Sequence, residues 1–411
     1  MLVEQEASLA LAPPIPQSPA MTALRANIAA LKPMLSGLAS QVEAGRRVPA
    51  GSIDALRAAG YFDIVKPRAF GGDEQAFSTL VELNIALAQS CASTAWVAGL
   101  LSAHQWLLGC FPEQAQRDVW GADPDALICG SYAPACMAEA VDGGFLISGR
   151  WSFASGSDCA QWAMCAAMLP AGADREKPVP AFLLVPRTDY LIDDTWHVVG
   201  LAGTGSKTLV LDAVFVPAHR LLSFSDASGG RSPGARFHAH HPGYAMPMLC
   251  NIPSCLASVA VGAAQGALED YLERTARRVT RGAVAGSNNR MAEFPTIQLR
   301  VADAAACVDA ASMVLLADLR AREATQNGGA MVSVEERITS RRGQAFAVSL
   351  ALRATEALNA STGGQGLELA HPVQRAWRDV NAVGRHISMN WDAVGTMYGQ
   401  LALGLEPKGQ Y

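Results

Sequence analysis

Apolar residues recur at helical spacing from Leu24 through Ile28, Leu31, Leu35, Leu38 and Val42, the stripe that one helix face turns to a core, and Pro33 breaks or kinks it early. A second helix is predicted from Ser52 to Gly60, a good left-handed cap, ahead of Tyr61 to Pro67 and a turn at Gly71-Gly72. Helical pattern resumes from Phe77 to Gly109. Between Ala126 and Pro217 the texture changes to short apolar runs broken by turn residues. The runs are Ala126 to Cys129, Phe145 to Ser148, Trp162 to Met168, Ala181 to Val185 and Leu209 to Val216, which read as strands of a small β domain. Asp142-Gly143-Gly144 reads as a hairpin turn, and Ala171 to Pro178 as a polar loop. From Ser258 onward Ala-rich amphipathic stretches return, including Asp303 to Arg322 and Val334 to Asn359, as a helical bundle requires. The predicted organisation is mainly α with a central β domain: a flexible arm over 1–20, an N-terminal helical domain over 21–125, a β domain over 126–222, a Gly-, Ser- and His-rich linker over 223–242, and a C-terminal helical bundle over 243–411.

Composition narrows the partners. Only 17% of the 411 residues are charged, below the roughly 25% usual in soluble domains, so much of the helical surface is expected against other subunits. A net charge of -5 with scattered Lys and Arg excludes the clustered basic face that nucleic acid needs. The nine cysteines form no CxxC pair and sit mostly in apolar runs, which fits buried thiols in the reducing cytoplasm. Glu4 and Glu6 stand where a signal peptide is basic, and prolines 13, 14, 16 and 19 interrupt the short apolar stretch. A run of about eighteen apolar residues free of charge is not expected in this sequence, and so neither is a membrane span.

Two near-motifs fail on inspection. Gly200 to Thr208 almost spells a phosphate-binding Walker A loop, but Ser206 separates Gly205 from Lys207, and Gly203-x-Gly205 lacks the third glycine of a dinucleotide fingerprint. His238, His240 and His241 have no acidic or Cys ligand close in sequence, so no metal site is expected. On residue type alone, Ser131 and Ser155 read as strand-end hydroxyls bonding local backbone, Trp96 as core, and His104 and His386 as structural hydrogen-bonders.

The order and spacing of longer landmarks carry more. They include Ala59-Gly60-Tyr61-Phe62 with Phe70-Gly71-Gly72, Ser93-Thr94-Ala95-Trp96, Gly149 to Gly156, Trp196 to Ser206, Gly262 to Leu268, Gly363-Gly364-Gln365-Gly366 and Arg378-Asp379. Taken together the chain resembles the acyl-CoA dehydrogenase superfamily. The resemblance implies an N-terminal helical domain, a β-barrel-like middle domain and a C-terminal four-helix bundle, assembled as a homotetramer with flavin between the last two domains. Its commonest members carry a catalytic glutamate in a Tyr-Glu-Gly-Thr segment; here the stretch reads Ala393-Val394-Gly395-Thr396, and Val accepts no proton.

The chain looks instead like the two-component flavin-dependent hydroxylases of that fold, on His104 after Trp96, Ser131-Tyr132-Ala133-Pro134, Ser155, and His386 after Asp379. Positions 379, 382, 383, 386, 390 and 393 recur as one helix face, which would border a flavin. The likeness implies reduced FMN or FAD, with FMNH2 favoured, O2 as cosubstrate, a separate NAD(P)H:flavin reductase, and hydroxylation of a small phenolic substrate through a C4a-hydroperoxyflavin. The roles it implies are Ser155 at the flavin N5 edge, His386 beside the bound oxygen, and His104 with Ser131 on the substrate phenol, Trp96 forming an apolar wall. Trp151, Thr204, Gly205, Ser206, Gly363 and Gly364 are implied as flavin contacts, with Arg278 or the competing Arg281 on its phosphate. The alternatives are acyl-CoA dehydrogenase-type oxidation, N- or S-oxygenation on the same scaffold, and a non-catalytic flavin-binding protein.

Overall fold

Residues 19–171, 176–279 and 290–411 are described by the structure, a computed structural model. The expected arm and Arg281 lie outside these residues, apart from the arm's last two positions. The first stripe forms two helices, α1 (Pro19–Ala30) and α2 (Lys32–Gly45), separated at Leu31 because Pro33 takes the first turn of α2. Then come α3 (Ala50–Ala58), α4 (Phe77–Ala88), α5 (Ala92–Gly109) and α6 (Glu113–Trp120). Gly60 has φ +82, the left-handed conformation expected of it.

The middle region holds two four-stranded sheets. Its strands are β1 (Ile128–Ser131), β2 (Glu139–Val141), β3 (Gly144–Ala154), β4 (Trp162–Leu169), β5 (Val179–Pro186), β6 (Leu191–Asp193), β7 (Lys207–Pro217) and β8 (Leu221–Ser223). One sheet runs β1-β4-β5-β8 and the other β2-β3-β7-β6. Only β1–β4 is parallel; the remaining pairs are antiparallel. The expected hairpin turn joins β2 to β3. The predicted linker is not featureless: Ser223 and Ser232 cap two short helices, α7 (Phe224–Gly229) and α8 (Pro233–Phe237), by accepting backbone N–H bonds.

The last region is built from α9 (Met248–Arg277), α10 (Pro295–Asn327), α11 (Val334–Asn359), α12 (Pro372–Gly384) and α13 (Trp391–Ala402). Helices α9 to α12 pack on one another as a bundle, and α9 also packs on α4 and α5, so one core joins the first and last regions. A Cβ at Gly262 would lie 2.2 Å from Ile85 O, so α9 and α4 approach backbone to backbone only because glycine stands there. Contrary to expectation, α9 is long and apolar enough to cross a membrane, but 89% of its apolar window is buried inside the fold, the environment of a core helix.

A second correction concerns 379 to 393. The chain leaves the helix at Gly384 and makes a short turn before α13, so these positions do not share one helix. Side-chain bonds compete with helix here: the His386 ring accepts from Ser388 N–H, and Asn390 caps α13 by accepting from Ala393 N–H.

Candidate active site

Every residue of α5 except Leu100 is buried, so a polar side chain on it needs a partner inside the protein. His104 finds half of one. Its Nδ1 lies 2.6 Å from Ile128 O. A carbonyl only accepts, so Nδ1 carries the proton and Nε2 presents a lone pair. That Nε2 is buried and makes no hydrogen bond among the described residues. Burial pushes the imidazole pKa down to about 4, against a smaller upward pull from the bond to Ile128, so the ring is neutral at pH 7.

Side chains alternate across β1, which separates two residues expected together. A Cβ at Gly130 would lie 3.3 Å from His104 Cε1, and the Tyr132 ring stacks on the imidazole at 5.8 Å, so His104 covers the Gly130–Tyr132 face. Ser131 turns the other way and donates to Ser152 O at 2.7 Å. Tyr132 stands in the Ser131-Tyr132-Ala133-Pro134 stretch that carries the likeness, but sequence reasoning gives it no role. Its hydroxyl is buried without a hydrogen bond among the described residues, and its ring meets Phe182 edge-on at 4.8 Å.

Two turns before His104 on α5, Trp96 Nε1 donates to Ser155 Oγ at 2.9 Å, just past the end of β3. Ser155 Oγ lies 2.7 Å from Ser206 Oγ, and Ser206 Oγ lies 2.6 Å from Thr204 Oγ1. Thr204 donates its only hydroxyl proton to Leu201 O at 2.9 Å. Each hydroxyl has one proton, so the rest of the chain is fixed: Ser206 donates to Thr204, and Ser155 donates to Ser206. Ser155, which also accepts from Trp96, keeps one lone pair for a further donor. The loop carrying Thr204, Gly205 and Ser206 is held by Asp379 of α12, whose Oδ1 accepts from Leu201 N–H at 2.6 Å. Burial, partly offset by that bond, pushes the Asp379 pKa up to about 6.

His386 packs edge-on against Trp96 with ring centroids 5.8 Å apart. Its Nδ1 accepts from Ser388 N–H, which places the neutral ring's proton on Nε2. Burial first, and the Arg341 charge second, push its pKa down to about 4. Trp151 is fully buried and donates to Ala166 O at 2.6 Å, so its indole edge belongs to the sheet interior.

Arg278 follows α9 and donates to Ser361 O at 3.2 Å. A Cβ at Gly363 would lie 2.2 Å from Arg278 Nη2, so the expected phosphate-binding Arg and the glycine turn do meet. Beside them lies a cavity of about 460 Å³ whose lining includes Arg274, Arg277, Arg278, Thr362 and Gln365, with the carboxylate of Glu368 as its one acidic side chain among the described residues. Its cationic, hydroxyl and amide donors fit the phosphates of a flavin. Gly364 begins the short turn after Gly363. Elsewhere His238 bonds Gln116, and His240 and His241 bond Glu74; among the described residues no group of three or more His, Cys, Asp or Glu is placed to hold a metal.

Residues 254–391 match the acyl-CoA dehydrogenase C-terminal domain. The chain is 65% identical to the FADH(2)-dependent resorcinol hydroxylase oxygenase component of Rhizobium sp. (strain MTP-10005), over 94% of this chain and 95% of that one. It is 37% identical to the flavin-dependent monooxygenase oxygenase subunit HsaA of Rhodococcus jostii (strain RHA1), over 92% of this chain and 97% of that one. Among solved structures, 3-HSA hydroxylase from Rhodococcus sp. RHA1 superposes with a TM-score of 0.89 at 35% identity, covering 94% of this chain and 98% of that one. With likeness running the length of both partners, the protein belongs to the acyl-CoA dehydrogenase fold superfamily, among the oxygenase components of two-component flavin-dependent monooxygenases.

Proposed function

We propose that this oxygenase component hydroxylates a resorcinol-type phenol with FADH2 delivered by a separate NAD(P)H:flavin reductase. The observation that carries the reading is the pair of neutral histidines with opposite polarity, Nε2 a lone pair on His104 and an N–H on His386. The 65% identical resorcinol hydroxylase supports the substrate class and favours FADH2 over FMNH2. Bound reduced flavin supplies the two electrons and, with O2, the oxygen atom transferred to the ring.

The chain's own residues prepare that transfer. Nε2 of His104 accepts the phenol proton, making the ring carbon more nucleophilic. Trp96 and the buried face of α5 exclude water. The lone pair left on Ser155 would accept a hydrogen bond from a donor on bound reduced flavin, and with its own proton given to Ser206 the hydroxyl would offer none to the oxidised form, so the hydroxyl chain would favour the reduced state. Nε2–H of His386, beside Trp96, would supply a hydrogen-bond donor to the oxygen that the reaction brings to this side of the site. Arg278 with Gly363 receives the flavin phosphates, in a homotetramer where this turn completes a neighbouring subunit's site; exposed Leu299, Met313 and Leu403 on the bundle support such contacts. Nine free cysteines fit the cytoplasm.

Acyl-CoA oxidation has no support at the usual base position, where Val394 is buried on α13. The test is a mass-detected screen of phenols, aromatic amines and sulfides with the purified chain, NADH and FAD, with and without a flavin reductase. Hydroxylated resorcinol only when the reductase is present is the expected result. Turnover with NADH alone, or product only from amines or sulfides, would overturn it.

A further inference from the structure

The reading above gives His104 one phenolic hydroxyl and leaves Tyr132 unused. Yet the two side chains share a condition that is costly unless a ligand relieves it: both the His104 Nε2 and the Tyr132 hydroxyl are buried and without a hydrogen bond among the described residues. An unmet buried polar atom destabilises the empty site. They belong to rings stacked on each other at 5.8 Å, Tyr132 standing directly after the end of β1. Beyond Tyr132 the surroundings are apolar: Phe182 meets its ring at 4.8 Å, and Phe224 packs on Phe182 at 4.3 Å. Ser131, the hydroxyl next in the chain, has its proton on Ser152 O.

We propose that Tyr132 is a specificity-determining residue, its hydroxyl taking the second hydroxyl of a 1,3-dihydroxybenzene whose first hydroxyl donates to His104 Nε2. The proposal rests on the reading that the chain hydroxylates a phenol. The donor assignment is forced at one end and free at the other: Nε2 can only accept, whereas a tyrosine hydroxyl donates or accepts. Burial raises the Tyr132 pKa, so it keeps its proton and can hold the second hydroxyl while the first is deprotonated. A monophenol satisfies His104 but leaves the Tyr132 hydroxyl unpaired, and a site built to hydrogen-bond a hydroxyl discriminates strongly against ligands that lack it.

The experiment compares Tyr132→Phe, which keeps the stacked ring and removes only the oxygen, with the full wild-type chain supplied with FADH2 by a reductase. Steady-state kinetics are measured with resorcinol and with 3-methylphenol, in which a methyl replaces one hydroxyl. Expected is a rise of about 10- to 100-fold in KM for resorcinol with a smaller change in kcat, and about 3-fold or less for 3-methylphenol. Equal losses on both substrates, or none on resorcinol, would overturn the proposal. Wild-type protein gives an independent reading if the variant folds poorly: calorimetric binding of resorcinol should be at least about 10-fold tighter than that of 3-methylphenol, and equal affinities would also overturn it. Should wild type hydroxylate neither compound, the functional reading itself falls; product from both with no role for Tyr132 removes only this inference.

Discussion

On the α5–β1 side, His104 sits in continuous secondary structure with its Nδ1 proton donated to Ile128 O. On the side where α12 ends, His386 sits in a break between helices with its Nδ1 accepting from Ser388 N–H. Burial makes both rings neutral, each pKa falling to about 4. One backbone partner is an acceptor and the other a donor, and that difference alone gives one imidazole a basic Nε2 and the other an N–H. A side chain's chemistry here is set by what its far nitrogen touches.

The sharpest break of this comparison is His104→Ala. Loss of positioned base help should slow hydroxylation by about 10²- to 10⁴-fold while FADH2 binding is unchanged, as followed by single-turnover product formation. More acidic phenols should recover part of the rate. Uniform loss across phenols of different acidity would make His104 a packing residue. His386→Ala should act on the other side, lowering product per flavin consumed by about 5- to 100-fold and releasing hydrogen peroxide, the worth of one buried hydrogen bond. His386→Gln, which keeps an N–H donor, should recover part of the yield; no difference between the two substitutions would count against donation from Nε2. A smaller effect is expected for Ser206→Ala, which frees the Ser155 proton. FADH2 should then bind a few-fold more weakly while oxidised FAD binds no worse, read from dissociation constants in both redox states. Parallel weakening of both would show that the hydroxyl chain has no fixed direction.

The long elements were legible because their periods are long. Val334–Asn359 shows its helical stripe along its whole length, and Trp162–Leu169 reads as a continuous apolar strand. Glu139–Val141, Leu191–Asp193 and Leu221–Ser223 were not read, since three residues give too little alternation to register. The break after Gly384 was hidden because the helical spacing of positions 379, 382, 383, 386, 390 and 393 continues across it, while its cause lies in side-chain bonds from His386 and Asn390. At the site, His104 and His386 read as structural hydrogen-bonders by residue type and gained roles only through the family likeness, and nothing in the sequence states a tautomer. Tyr132 stood inside the Ser131-Tyr132-Ala133-Pro134 stretch without a role, and its stacking on His104 emerges only when the chain after β1 is laid against α5. The meeting of Arg278 with Gly363 links distant segments and was approachable only through the family resemblance.

The gentlest test bears on the loop that connects the two sides. Asp379 holds Leu201 N–H, and through Leu201 O it orients Thr204 and the hydroxyls that end at Ser155. Its pKa is about 6 in the fold against an unfolded value of about 3.9, so the folded state keeps its proton through a window where the unfolded chain releases it. Its contribution is therefore fully present below about pH 4, declines as pH rises, and is lost above about 6. The two histidines run oppositely: with folded pKa values of about 4, they lose stability as pH falls below about 6.5. Asp379→Asn keeps an oxygen for Leu201 and removes the titration. Relative to wild type it should gain stability steadily between pH 4 and 7, by roughly 1–3 kcal/mol at the upper end, with little change in turnover near neutrality. Thermal melts across that range measure it. A constant offset at every pH would mean that the Asp379 carboxyl is ionised in both states, and that its bond to Leu201, rather than its burial, governs its charge.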